Sequence, residues 1–104
     1  MDRIAKLKEF LKVNPKDSFV QHALALEYVK TGDDMNARKQ FEELLDREPG
    51  YVGSYYHLGK LLERTGETDK AIKIYEKGME EAKKAGDEKN YGELRGVYEE
   101  LSPL

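Results

Sequence analysis

The 104-residue chain contains no cysteine, no tryptophan and only three prolines. The absence of cysteine excludes disulfide bonds, thiol nucleophiles and cysteine-based zinc sites, and it agrees with a reducing compartment. Only two histidines are present, and neither has a second histidine or an acidic residue at the helical spacing that a metal site uses. We therefore expect a protein that holds no metal ion and no cofactor.

Long apolar runs are also missing from the sequence. No stretch approaches the ~20 apolar residues that a membrane-spanning helix needs, and the first residues lack the features of a secretory signal. The net charge is −3 with acids and bases interspersed, whereas nucleic-acid binding requires Lys and Arg massed on one face. We expect a soluble, cytoplasmic protein with no membrane and no nucleic-acid partner.

A repeat with a period of 34 residues is the strongest positive signal in the sequence. Residues 18–51 align with residues 52–85, and the substitutions keep small residues with small ones and apolar residues with apolar ones. The identical pairs are Leu24/Leu58, Thr31/Thr65, Gly32/Gly66, Ala37/Ala71, Lys39/Lys73 and Glu42/Glu76. A fixed period of this length predicts stacked helix pairs, and no stretch keeps the period-2 alternation of a strand.

The spacing of apolar residues predicts the helices and the turns between them. The helices are expected at 2–13, 17–31, 34–47, 51–65, 68–85 and 88–101. Gly32 and Gly66 follow apolar segments and are predicted to end helices, because glycine adopts the left-handed backbone without strain. Pro15 and Pro49 follow the other helices and cannot continue them.

Three further details follow from the local sequence. The second helix can begin at either Asp17 or Ser18, with Gln21 completing a capping box with Ser18. The fifth helix lacks the proline of the earlier units and is expected to run on to Gly86. The sixth helix carries an apolar stripe that is expected to pack on the fifth, at Tyr91, Leu94, Tyr98 and Leu101.

The order of these residue types resembles the tetratricopeptide repeat. The second unit carries the pattern as Tyr55, Leu58-Gly59, Leu62, Gly66, Ala71 and Tyr75, and the first as Leu24-Ala25, Tyr28, Gly32, Ala37, Phe41 and Pro49. Gln21 stands where the family usually places an aromatic residue.

The resemblance implies an all-α fold, namely a short right-handed α-solenoid of about six antiparallel helices. In this interpretation, residues 1–104 form one domain. It consists of an N-terminal helix in 1–16, repeats in 18–51 and 52–85, and a C-terminal capping helix in 86–104.

The resemblance also implies a concave surface, lined by the first helix of each pair, on which the family commonly binds an extended peptide or a helix. On helix 17–31, Leu24, Ala25 and Tyr28 are assigned to internal packing, so the adjoining stripe at steps of three and four faces the partner. Carrying this stripe forward by one period completes the peptide-binding candidates, which are Phe19, His22, Leu26, Val29, Tyr56, Lys60 and Glu63. Asn90 and Val97 are further candidates in the sixth helix.

These observations lead us to expect a non-catalytic protein-protein interaction module with a protein or peptide partner. No nucleophile, base and orienting group form a recognisable catalytic arrangement. The carboxylate clamp of some tetratricopeptide co-chaperones is not expected, since His22 and Leu26 occupy positions where Lys and Asn are needed. Gly92 and Gly96 have the spacing of a membrane dimer motif, but the charged residues around them exclude that interpretation.

The alternative is a structural role through self-association, either as a homo-oligomer or as part of a longer solenoid. The first helix has no preceding partner in the pattern, and its apolar residues would normally lie between two other helices. These residues are Ile4, Leu7, Phe10 and Leu11. Stack ends that remain apolar tend to associate.

Overall fold

A computed structural model describes residues 2–102, and this part of the chain folds into six α-helices without a β-strand. The helices are α1 Arg3–Val13, α2 Ser18–Lys30, α3 Asp34–Arg47, α4 Gly53–Arg64, α5 Thr68–Ala85 and α6 Glu88–Leu101. The predicted all-α helical repeat fold is confirmed. Each helix end lies within two residues of its predicted position.

Aspartate side chains begin four of the helices. The carboxylates of Asp2, Asp17, Asp33 and Asp87 each accept a hydrogen bond from the backbone N–H three residues further on, at 2.8 to 3.2 Å. Such a cap satisfies a backbone donor that the helix itself cannot pair, and it contributes about 1 kcal/mol to stability. The sequence left Asp17 and Ser18 open as the cap of α2, and the structure selects Asp17.

The predicted capping box between Ser18 and Gln21 is wrong. The Ser18 hydroxyl donates to Glu48 Oε1 at 2.7 Å, and the Gln21 side-chain amide donates to Gln40 Oε1 at 3.1 Å. Both side chains therefore connect α2 to residues about 20 to 30 positions away, at Gln40 and Glu48. A local sequence pattern cannot show partners at that distance.

The predicted turns lie where glycine and proline were expected to place them. Gly32, Gly66 and Gly86 have φ angles of 81°, 83° and 68°, in the left-handed region. The residue after each glycine donates its backbone N–H to a carbonyl five residues earlier, which closes the helix end. Helices α1 and α3 end two residues before Pro15 and Pro49.

The described chain forms two compact units, one ending at Glu48 and the other beginning at Pro49. In the first unit, α2 packs against both α1 and α3. The buried apolar residues of this unit are Leu24, Ala25, Tyr28, Ala37, Phe41, Leu44 and Leu45. The Arg3 guanidinium pairs with Glu27 at 2.9 Å, and the Lys8 ammonium lies 5.9 Å from the Tyr28 ring centre. Helix α1 is therefore held to α2 largely at the margin of the core.

In the second unit, α5 packs against both α4 and α6. The predicted extension of α5 to Gly86 is confirmed. Leu94 of α6 is fully buried and Tyr91 and Tyr98 are partly buried, so the predicted stripe does pack on α5. The assignment of residues 1–104 to one domain with four segments stays a prediction.

Two tyrosine rings lie against bare helix backbone in the second unit. A Cβ atom at Gly59 would stand 2.1 Å from Tyr75 Cε1, and one at Gly78 would stand 2.6 Å from Tyr55 Cβ. Neither position has room for a side chain. Helix α4 thus supplies a glycine for the ring of α5, and α5 supplies a glycine for the ring of α4. The small residue that the repeat pattern places at Gly59 thus allows the two helices to approach closely, and the Tyr75 ring is the group that fills the space.

The hydroxyl groups of both rings are also engaged. The Tyr55 hydroxyl donates to the Pro49 carbonyl at 2.6 Å, and the Tyr75 hydroxyl donates to Glu63 Oε2. Burial raises the pKa of Tyr55 to about 12, so the hydroxyl remains a donor at neutral pH. Each ring therefore combines apolar packing with one satisfied polar atom.

We expect Gly59→Ala to destabilise the second unit despite the better helix propensity of alanine. Overpacking a filled core costs about 1–3 kcal/mol, while replacing a helical glycine by alanine returns at most about 1 kcal/mol. The expected net loss is about 1–2 kcal/mol in the free energy of unfolding, measured by urea denaturation.

Gly96→Ala is the matched control, because a Cβ there meets nothing within 4 Å. The only expected effect at Gly96 is the higher helix propensity of alanine, because no packing is disturbed. The change should therefore raise the free energy of unfolding by up to about 1 kcal/mol. Equal effects of the two substitutions would contradict the packing assigned to Gly59.

Candidate functional site

In the first unit, four of the predicted residues lie on one stripe of α2, here called the α2 surface: Phe19, His22, Leu26 and Val29. Phe19 is 72% exposed, and the other three are partly buried. The His22 ring meets the Phe41 ring edge-on, with 6.0 Å between their centres. Folding thus leaves a large aromatic ring at the start of α2 in water.

The neighbouring stripe of α2 does the packing that the sequence predicted. Leu24 is 2% exposed, Ala25 is fully buried and Tyr28 is 6% exposed. Because these residues already serve the core, they cannot contact a partner. The α2 surface lies beside this buried stripe and remains at least partly accessible.

In the second unit, three predicted residues follow one stripe of α4, here called the α4 surface: Tyr56, Lys60 and Glu63. Lys60 Nζ lies 3.5 Å from Glu63 Oε2, and Glu63 also accepts the Tyr75 hydroxyl. Burial and the Glu63 carboxylate raise the pKa of Tyr75, so its hydroxyl stays protonated. Glu63 is therefore already occupied by an internal donor and a neighbouring cation.

A groove between α4 and α6 lies beside the α4 surface. It has a volume of about 470 Å³. Its lining residues are Tyr56 and His57 from α4, with Gly92, Glu93, Gly96, Val97 and Glu100 from α6. Val97 was a sequence candidate and lies in this lining, whereas Asn90 is engaged at the helix start, where its side-chain amide donates to Asp87 at 2.7 Å.

The sequence interpretation missed most of the α6 side of this groove. From the sequence, the spacing of Gly92 and Gly96 indicates only a membrane dimer motif that the neighbouring charges exclude, and Glu93 and Glu100 have no predicted role in binding. The available signal was a glycine pair one helical turn apart in an otherwise polar helix, with an acidic residue beside the first glycine and another four residues after the second. That pattern alone does not show which helix faces the glycines.

His57 lies on the α4 side of the groove and is partly buried. Its ring meets the Tyr56 ring edge-on, with 5.5 Å between centres. Burial lowers the pKa of His57 below its usual value, and the negative charge of Glu93 only partly opposes this effect. His57 is therefore neutral at pH 7.

The described residues offer little for metal chemistry. Within residues 2–102, no group of three or more His, Cys, Asp or Glu side chains is arranged to hold a metal ion. None of the helices in this range combines the length and apolar character needed to cross a bilayer.

A family model described as the tetratricopeptide repeat matches residues 52–85. The chain is also similar to a solved tetratricopeptide repeat domain protein from Salinibacter ruber. The identity is 43%, the match covers 85% of this chain and 98% of that one, and the TM-score is 0.80. A protein from Bordetella parapertussis shares the fold at 23% identity, with coverage of 97% and 88% and a TM-score of 0.83.

A curated human protein is similar over part of its length. The antiviral innate immune response effector IFIT1 of Homo sapiens is 25% identical over 75 residues, which is 72% of this chain. The matched region spans only 16% of the human protein.

We expect the contribution of His57 to stability to depend on pH. Because the folded state holds the pKa of His57 below the usual 6.5, the unfolded state binds a proton more readily. The contribution is complete above pH 6.5 and is lost as the pH falls through the folded-state pKa.

Urea denaturation of the wild type and of His57→Gln at pH 7.5 and pH 5.5 measures this effect. The wild type should lose more stability than the variant between the two pH values. An identical loss in both proteins would show that His57 does not titrate differently on folding.

Proposed function

The chain belongs to the tetratricopeptide repeat family, and on this basis we propose that it is a protein-interaction module that binds a short peptide or helix. Family members generally bind other proteins and are generally non-catalytic. The finer part of the proposal concerns the residues that contact the partner. We assign this role to the α2 surface and to the α4 surface, each as a contact surface of its own unit.

The exposure of Phe19 is the observation that carries this assignment. A phenylalanine side chain gains about 1.5–3 kcal/mol when it leaves water, yet 72% of Phe19 remains exposed after folding. Aromatic rings with few rotatable bonds lose little entropy on contact, and they often dominate binding energy at interfaces. Leu26 and Val29 extend the apolar stripe along the same helix, which suits a mostly apolar partner segment.

The expected affinity is modest. A surface confined to one stripe of a short helix buries much less than the ~1,600 Å² of a standard protein interface. The favourable contacts must also offset the conformational entropy that the partner segment loses on binding. We expect micromolar dissociation constants for an isolated peptide.

Replacing the exposed Phe19 ring and the partly buried Tyr56 ring tests the assignment. We expect Phe19→Ala/Tyr56→Ala to reduce the capture of partner proteins from a lysate of the source cells by about tenfold or more, since truncating a central ring costs about 2 kcal/mol. Quantitative mass spectrometry of the retained proteins measures the change, with melting temperatures confirming that the variant folds.

Met35→Ala is the matched control, because Met35 is 83% exposed but lies on α3, outside both surfaces. Its capture should equal that of the wild type. If the double variant also retains its partners, the two surfaces are not the binding site.

Self-association through α1 is the second candidate function, and one observation favours it. None of the residues in Arg3–Val13 is fully buried, and Phe10 and Val13 are 46% and 79% exposed. A helix that packs on one side only leaves apolar area that a second copy, or a further repeat, can cover.

Light scattering over a range of protein concentrations tests this second function. If α1 is an association surface, the mean mass rises with concentration, and Phe10→Glu returns the protein to a monomer because it buries a charge in the contact. A strict monomer at millimolar concentration would remove self-association as a function.

A further inference from the structure

The groove between α4 and α6 is open although the fold does not require it to be. A Cβ atom at Gly92 or at Gly96 would meet nothing within 4 Å, and neither glycine has a positive φ angle. The two glycines of the α4–α5 contact are different, because Gly59 and Gly78 have no room for a side chain. As residues inside a helix, Gly92 and Gly96 only lower the stability of α6. We therefore attribute their presence to the open groove that their bare backbone leaves beside α6.

The charged side chains that line the groove have one sign. Glu93 and Glu100 line it from α6, and neither forms an ion pair within residues 2–102. On α4, Lys60 is already paired with Glu63, and His57 is neutral at pH 7 because burial lowers its pKa. On the rest of α6, Arg95 pairs with Glu99 at 3.0 Å, outside the groove lining. The groove therefore presents two uncompensated carboxylates beside an aromatic ring.

We propose that the groove between α4 and α6 binds a basic segment of a partner protein, with two Lys or Arg side chains paired to Glu93 and Glu100. The inference rests on the proposed function and names the chemistry of the partner at the second unit. The flat backbone at Gly92 and Gly96 lets the partner chain lie close to α6, and the Tyr56 ring offers a face to a guanidinium group.

The spacing of the two carboxylates limits the form of the segment. Glu100 follows Glu93 by seven helical steps, which is about 10.5 Å along the axis. In a polyproline-type chain, residues three apart point in the same direction and lie about 9 Å apart. An extended segment with two basic residues three positions apart therefore matches the groove.

The probe is a fluorescein-labelled, proline-rich synthetic peptide with two arginines three positions apart, titrated with the full chain at low salt. We expect a dissociation constant in the micromolar range and a loss of binding as salt rises, because exposed ion pairs are screened. The same peptide with citrulline in place of both arginines keeps the shape without the charge. It should bind about tenfold more weakly or not at all.

Gly92→Ala/Gly96→Ala separates binding from folding. The variant should melt at least about 4 °C higher, because alanine favours the helix at both positions and no clash arises. The same methyl groups narrow the groove, so peptide binding should fall by about tenfold. A stabilised protein that binds the peptide as the wild type does would overturn the proposal.

The charge part of the proposal has its own matched pair. Glu93→Gln/Glu100→Gln should weaken binding about fivefold or more at low salt, whereas Glu43→Gln, at an exposed position on α3 outside the groove lining, should leave it unchanged. Equal binding of the arginine and citrulline peptides, or equal effects of the two sets of variants, would overturn the proposal.

Phe19→Ala distinguishes this inference from the proposed function, because Phe19 lies in the first unit. It should not change binding of the arginine peptide. Partner capture that depends on Phe19 while the peptide fails to bind would overturn the basic-segment inference alone. Peptide binding without any dependence of capture on Phe19 and Tyr56 would overturn the assignment of the two surfaces.

Discussion

The packing of tyrosine rings against bare helix backbone is the constraint on which the second unit depends. Tyr75 lies on Gly59 and Tyr55 lies on Gly78, so α4 and α5 contact each other at two positions where a tyrosine packs against a residue without a side chain. A close-packed interior tolerates neither a missing ring nor an added methyl group at such positions. Because Gly78 also lies near Leu94, the same contact sets where α6 can pack on α5.

This packing also connects the core to the surface that we assign to binding. The ring of Tyr75 is buried, but its hydroxyl reaches Glu63, which in turn pairs with Lys60 on the α4 surface. The two charged side chains are thus held by a group that belongs to the core. Phe19 in the first unit differs, since its ring is mostly exposed and carries no polar atom to be satisfied. The two units therefore present contact surfaces of different character.

Local signals explain why so much of the fold could be predicted from the sequence. Gly32, Gly66 and Pro49 act on the backbone at their own positions, and the 34-residue period reports the helix pairs directly. The capping box failed because Ser18 bonds to Glu48, 30 residues away. The groove was missed because its width depends on how α4 and α6 both pack on α5, which no spacing within α6 reveals. The roles of the candidate residues in binding stay predictions.

The two repeats distribute their volume differently at equivalent positions. Where the second unit has Tyr55 and Gly78, the first has Gln21 and Leu44, one period earlier in each case. A hybrid repeat that takes these two positions from different units would combine a large ring with a leucine, or a glutamine with a glycine. The first combination is too large for the space and the second leaves a void. The residues at these two positions must therefore be exchanged between repeats together. A chimaera that keeps Tyr55 with Gly78 and Gln21 with Leu44 keeps both cores filled.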